Sequence, residues 1–123
     1  MAKIFDLEER TRAFAGNVRE FIKKLPESIA NKEDIKQVVR SSGSIGANYI
    51  EANESLGKKD FLYKIKVCRK EAKETMYWLS LLDTGNNPQL SEQCKSLYTE
   101  ATELMKIFGT ILIKSTPVAP QNR

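Results

Sequence analysis

Between Asp6 and Leu25 the apolar positions are Leu7, Phe14, Val18, Phe21, Ile22 and Leu25, with charged and small residues between them. Intervals of three, four and seven put these side chains on one side of an α-helix. Asp6 is placed to cap its start, and Glu8 and Glu9 suit the positive end of the helix dipole. Lys23 and Lys24 suit the other end, and Pro26 stops the chain from continuing. A second helix is expected from Asn31, read as its N-cap. It carries Ile35, Val38, Val39, Ser42, Gly46 and Tyr49 on one side, Ile45 at the edge of that side, and an end near residues 53–55 before Gly57. A third stripe, from Lys58 to Asp83, contains Phe61, Ile65, Cys68, Ala72, Met76 and Leu79. The turn cluster Thr84-Gly85-Asn86-Asn87-Pro88 follows it. The fourth begins at Pro88 or Ser91 and runs to Lys114 through Leu90, Cys94, Leu97, Ala101, Leu104, Phe108 and Ile111.

No stretch alternates with the two-residue period of a strand. Four amphipathic helices joined by short connections predict an all-α, up-down-up-down four-helix bundle over residues 1–115. Residues 116–123 include two prolines and little to bury, so they are expected to be disordered. The 123 residues suffice for one domain with one core.

The segment SSGSIGAN, residues 41–48, is poor in bulk and interrupts this pattern. It matches neither a P-loop nor a dinucleotide fingerprint, and no strand precedes it. Read as helix, its two glycines cost roughly 1 kcal/mol each relative to alanine. Close approach by another helix would offset that cost, either within the chain or from a second subunit. Ser41, Ser44 and Asn48 line one flank of this helix and are candidates for such a contact.

From this segment onward, SSGSIGANYIEANES followed by KKDFLYKIKVCRKEAKETMYWLSLL resembles the small bacterial four-helix-bundle proteins encoded in intervening sequences of large-subunit ribosomal RNA genes. Ser44, Ile45, Asn48 and Glu51 meet the Ser-Ile-x-x-Asn-x-x-Glu pattern. Phe61, Glu71 or Glu74, and Trp78-Leu79 meet its later positions. Where relatives often have Glu-Gly, this chain has Glu51-Ala52-Asn53, so its second helix is expected to run further. The resemblance implies a homo-oligomer, a ring-like homopentamer. It also implies kinship with the accessory bundle protein of diversity-generating retroelements, which looks like a nucleic-acid-binding partner of a reverse transcriptase. It brings no settled biochemical activity.

Trp78 projects roughly 100° from the core stripe of the third helix, beside Val67, Glu71 and Glu74. These residues are the second candidate contact surface, and two unlike patches would suit a ring-closing contact. The alternative is packing against neighbours within one bundle. Glu51 and Arg69 are candidates for a structural polar network, in which carboxylates pair with Arg69 or Lys64. A Glu51–Glu71 acid–base pair is the competing reading, and it lacks a nucleophile or a recognisable ligand spacing.

From Lys58 to Lys73 there are seven Lys or Arg and two acidic residues. Lys59, Lys66, Lys70 and Lys73 share the outer face of the helix with Tyr63 and Tyr77, as phosphate contacts and base-stacking rings would require. A solvated lysine face is the plainer alternative. The net charge of +4 permits an acidic partner such as RNA without demanding one.

Histidine is absent, which removes Ser-His and Cys-His nucleophile pairs and imidazole metal sites. Cys68 and Cys94 lie on apolar stripes without a CxxC partner and are expected to act as small hydrophobes. No metal, cofactor or small-molecule substrate is expected. The reading is a non-catalytic, oligomeric helical protein that binds RNA or a nucleoprotein, or else a protein-interaction assembly. The opening MAKIFDLEER has no apolar core like that of a signal peptide, so a cytoplasmic location is expected, away from membranes.

Overall fold

In the computed structural model, residues 6–115 are described, and they form four helices: α1 (Leu7–Ile22), α2 (Ile29–Asn53), α3 (Lys58–Leu81) and α4 (Pro88–Ser115). The expected tail, residues 116–123, lies outside the described residues. The helices pack in cyclic order, with α2 against α3 and α3 against α4 as the closest pairs and α1 against α4 as the thinnest. Among the described residues there is no strand, and the chain is an all-α four-helix bundle.

Three of the helices start where side chains satisfy free backbone donors, whereas α3 starts after Gly57 without a side-chain cap. Asp6 accepts from the Glu9 N–H, and the Asn87 side chain accepts from Gln89 and Leu90 ahead of α4. Pro88 sits at the first turn of α4, where its missing N–H costs nothing. The start of α2 differs from expectation. Ser28 is the N-cap, accepting from the Asn31 N–H at 3.0 Å, and the helix begins at Ile29, two residues before Asn31.

Asn31 is almost fully buried and has another task. Its Nδ2 donates to the carbonyls of Pro26 and Asp83, both at 2.9 Å, and its Oδ1 accepts from the Asp83 N–H at 2.9 Å. One amide thus ties the α1–α2 turn to the α3–α4 turn at one end of the bundle. Gly85 completes the fit. Its φ of +67° is in the left-handed region, and a Cβ there would lie 3.1 Å from the Pro26 ring.

The core runs along the bundle axis through Phe14, Val18, Val38, Ile45, Ile65, Leu79, Leu104 and Phe108, all at most 2% exposed. Ile45, expected at an edge, is at its centre. α2 continues through buried Ala52 to Asn53, at the end expected near residues 53–55. Cys68 and Cys94 are free thiols, donating to the carbonyls of Ile45 and Leu79. Burial pushes the Cys68 thiol up to about 12.

The segment 41–48 is helical throughout, and two of its sides are occupied within the same chain. Towards α1, a Cβ on Gly46 would lie 2.8 Å from Thr11 Oγ1, so its glycine admits close approach of α1. Towards α3, Ser41 is fully buried and accepts from Thr75 Oγ1 at 2.8 Å. Ser41 is therefore an interior residue, unable to contact a second subunit.

Candidate nucleic-acid interface

α3 distributes its side chains into three sectors. Ile65, Cys68, Ala72, Thr75 and Leu79 face the core. A second sector faces α2. There Arg40 bonds Glu71 Oε1 at 3.2 Å and Glu74 Oε2 at 3.0 Å, while Trp78 Nε1 donates to the same Glu74 oxygen at 3.2 Å. Nearer the far end of the seam, Lys64 holds Glu51 at 2.6 Å.

These contacts set the protonation states. Burial works against the charged form of Glu74, but the hydrogen bonds from Trp78 and Arg40 outweigh it and hold the carboxyl below its ordinary value. The Glu71 bond raises the Arg40 guanidinium against the opposing cost of burial. Lys64 is raised in the same way by Glu51.

The predicted contact residues are all placed along this seam. Ser44, Asn48, Val67, Glu71, Glu74 and Trp78 are each partly or largely covered, and Asn48 turns its amide back to the Ser44 carbonyl at 2.8 Å. Ser41 of the small-residue flank bonds Thr75, and Arg40 on the same helix bonds Glu71 and Glu74, so these parts of the two predicted patches meet within one protomer. The cation that joins Glu71 and Glu74 is Arg40, which sequence reasoning did not select. Its spacing in the chain carries no signal, because the partners are 31 and 34 residues away on another helix. Glu51 and Glu71 each bind a different cation, so they do not form a shared acid–base pair.

The third sector faces outward. At about 100° per residue, Lys59, Tyr63, Lys66, Lys70, Lys73 and Tyr77 fall within a stripe about 80° wide. All six are exposed. Tyr63, Lys66, Val67, Arg69, Lys70 and Lys73 line a shallow, open depression on this face. Among the described residues, none of Lys59, Lys66, Arg69, Lys70 and Lys73 forms an ion pair. Lys70 reaches Glu74 only as a distant charge that helps to lower it.

Arg69 is a correction. Expected in a structural network with Glu51, it has no carboxylate partner among the described residues and borders the basic depression. Its side chain lies beside α4 at Gly109, where a Cβ would stand 3.7 Å from Arg69 Nε. Tyr77, expected among the lysines, is exposed on the same stripe, and its ring packs edge-on against Trp78 with centroids 5.0 Å apart.

Among the described residues no group of His, Cys, Asp or Glu is arranged to hold a metal ion. No described helix is long and apolar enough to cross a membrane.

Comparison with known proteins agrees with this architecture. No curated protein matches the sequence. A crystal structure of a protein of unknown function from the S23 ribosomal protein family of Bacteroides thetaiotaomicron is similar. It is 34% identical, with a TM-score of 0.71, covering 85% of this chain and 96% of that one. The family model for the 23S rRNA-intervening sequence protein matches residues 5–110. With the bundle and nearly the whole described chain in agreement, this protein belongs to the 23S rRNA-intervening sequence protein family.

Proposed function

We propose that this chain is a non-catalytic RNA-binding module that uses the outer face of α3. The observation that carries the reading is the sorting of charge on that helix. Glu71 and Glu74 are turned to α2 and matched by Arg40, while Lys59, Lys66, Arg69, Lys70 and Lys73 have no such match among the described residues. A cation with no internal partner still attracts phosphate, and a row of them attracts a phosphodiester backbone. The association of the family with an intervening sequence of 23S rRNA makes RNA the polyanion to test first.

The test is a titration of nuclease-treated protein with labelled RNA at two salt concentrations. Binding at low salt that weakens steeply at higher salt is expected, because each phosphate contact contributes a slope of about −0.7 to −0.9 in log K against log salt. No binding at low salt would reduce the lysines to a solvated face.

A second reading is assembly with copies of itself, supported by partly exposed Val67 and Trp78 and by exposed Leu81 beside the seam. Trp78→Ala with Leu81→Ser then lowers the native mass in sedimentation. An unchanged mass removes that surface.

A further inference from the structure

We infer that the α3 face takes single-stranded RNA rather than duplex, with Tyr63 and Tyr77 as stacking platforms on either side of Lys66, Lys70 and Lys73. This rests on the preceding reading and sharpens its substrate.

The two rings are among the most exposed aromatic side chains of the described residues, at 61% for Tyr63 and 57% for Tyr77. They share the stripe with Lys66, Lys70 and Lys73, which lie between them in the chain. The fourteen intervening steps of helix separate them by about 21 Å. Stacked bases follow one another at about 3.4 Å along a strand, so the two rings cannot serve adjacent bases. They would engage bases well apart, with the lysines on the phosphates between.

A duplex offers no use for this arrangement. Its bases are stacked and paired, and the deep, narrow major groove of A-form RNA does not admit side chains to the base edges. Phosphate contact needs only the lysines. Two solvent-facing tyrosines within the cationic row are accounted for when unpaired bases can lie on them, a mode that is tolerant of sequence. Tyr77 is also held in place, since Trp78 packs edge-on against it and is itself anchored by Glu74. A ring fixed before binding loses less freedom when a base stacks on it.

The experiment compares a single-stranded RNA of about twelve nucleotides, a length within the range of single-strand sites, with a duplex of the same sequence. Fluorescence anisotropy is read for the wild type, Tyr63→Ala, Tyr77→Ala and the matching Phe variants, with circular dichroism as the folding control. The expected result is tighter binding of the single strand. Each Ala variant is expected to lose about five- to tenfold in affinity, the low end of the stacking range, with the salt slope unchanged. Each Phe variant keeps the ring and retains affinity. Equal or tighter binding of the duplex, or Ala variants that bind like the wild type while Lys66→Gln and Lys70→Gln weaken binding, would overturn the single-strand assignment and leave the RNA-binding reading standing. Binding of neither probe at low salt overturns both.

Discussion

Glu71 and Glu74 look towards α2 and find Arg40. About 100° around the same helix, Lys66, Lys70 and Lys73 look outward and find no carboxylate among the described residues. The first group is largely covered, with the Glu71 side chain 11% exposed. A charge in that position costs free energy unless it is paired, so it acts as part of the fold. The second group is solvated and costs the fold little. Its field is spent on the surroundings rather than on a neighbour. One helix therefore carries a structural face and a face free for a partner, and the difference lies in which charges are matched.

The largest expected effect breaks the outer face. Replacing Lys59, Lys66, Lys70 and Lys73 together with glutamine should lower RNA affinity by about a hundredfold or more at low salt. It should also flatten the salt dependence by about three in log–log slope. Helicity and melting temperature should barely move, because none of the four makes an ion pair among the described residues. Retained affinity would place the binding surface elsewhere.

Breaking the inner face should do the reverse. Arg40→Met leaves Glu71 and Glu74 without their cation. Because the Arg40 side chain is 48% exposed, the cost is expected at about 1–2 kcal/mol, below that of a fully buried pair. Urea denaturation measures it, and RNA affinity should change little. An unchanged denaturation midpoint would show that water replaces Arg40 without penalty.

Acid should act on the same face. The folded-state pKa of Glu74 is depressed, so its contribution is present above the ordinary value of 4.5 and is lost as pH falls through the lower folded value. Stability of the wild type should therefore drop below that pH by more than stability of Glu74→Gln does. Parallel melting curves for the two proteins would remove Glu74 from the account.

The smallest effect separates two helix glycines. Gly109→Ala adds a methyl group at ordinary contact distance from Arg69 and should stabilise the fold by up to about 1 kcal/mol. Gly46→Ala pushes a methyl against Thr11 and should lose at least that gain. Thermal melts that rank them the other way would mean that α1 yields easily at Thr11.

Much of the candidate face was legible in advance, because Lys59, Tyr63, Lys66, Lys70 and Lys73 lie on one helix and helical spacing alone brings them together. Tyr77 obeys the same spacing and was legible with them. What resisted reading was every feature that joins distant parts of the chain. Asn31 looked like a cap since Asn is a good one, but the Ser28 hydroxyl reaches the backbone of Asn31, and the Asn31 amide is engaged with Asp83, 52 residues away. Ile45 appeared at the edge of its stripe because the serines and glycines around it dilute the apolar pattern. Arg69 looked like a network residue and Arg40 went unselected, since nothing in linear order says which cation will face which carboxylate.

By itself, the sequence determined the four helices, their approximate ends and the outward row of cations, because helix periodicity is a local property that the pattern of side chains encodes directly. Only the tertiary structure decided which side of the 41–48 segment meets α1 and which meets α3, and that Arg40 rather than Arg69 neutralises the carboxylates. The physical reason is that pairing depends on the rotation and approach of neighbouring helices. Those are settled by packing across the whole core, with Gly46 against Thr11 and Ser41 against Thr75 as the points of contact.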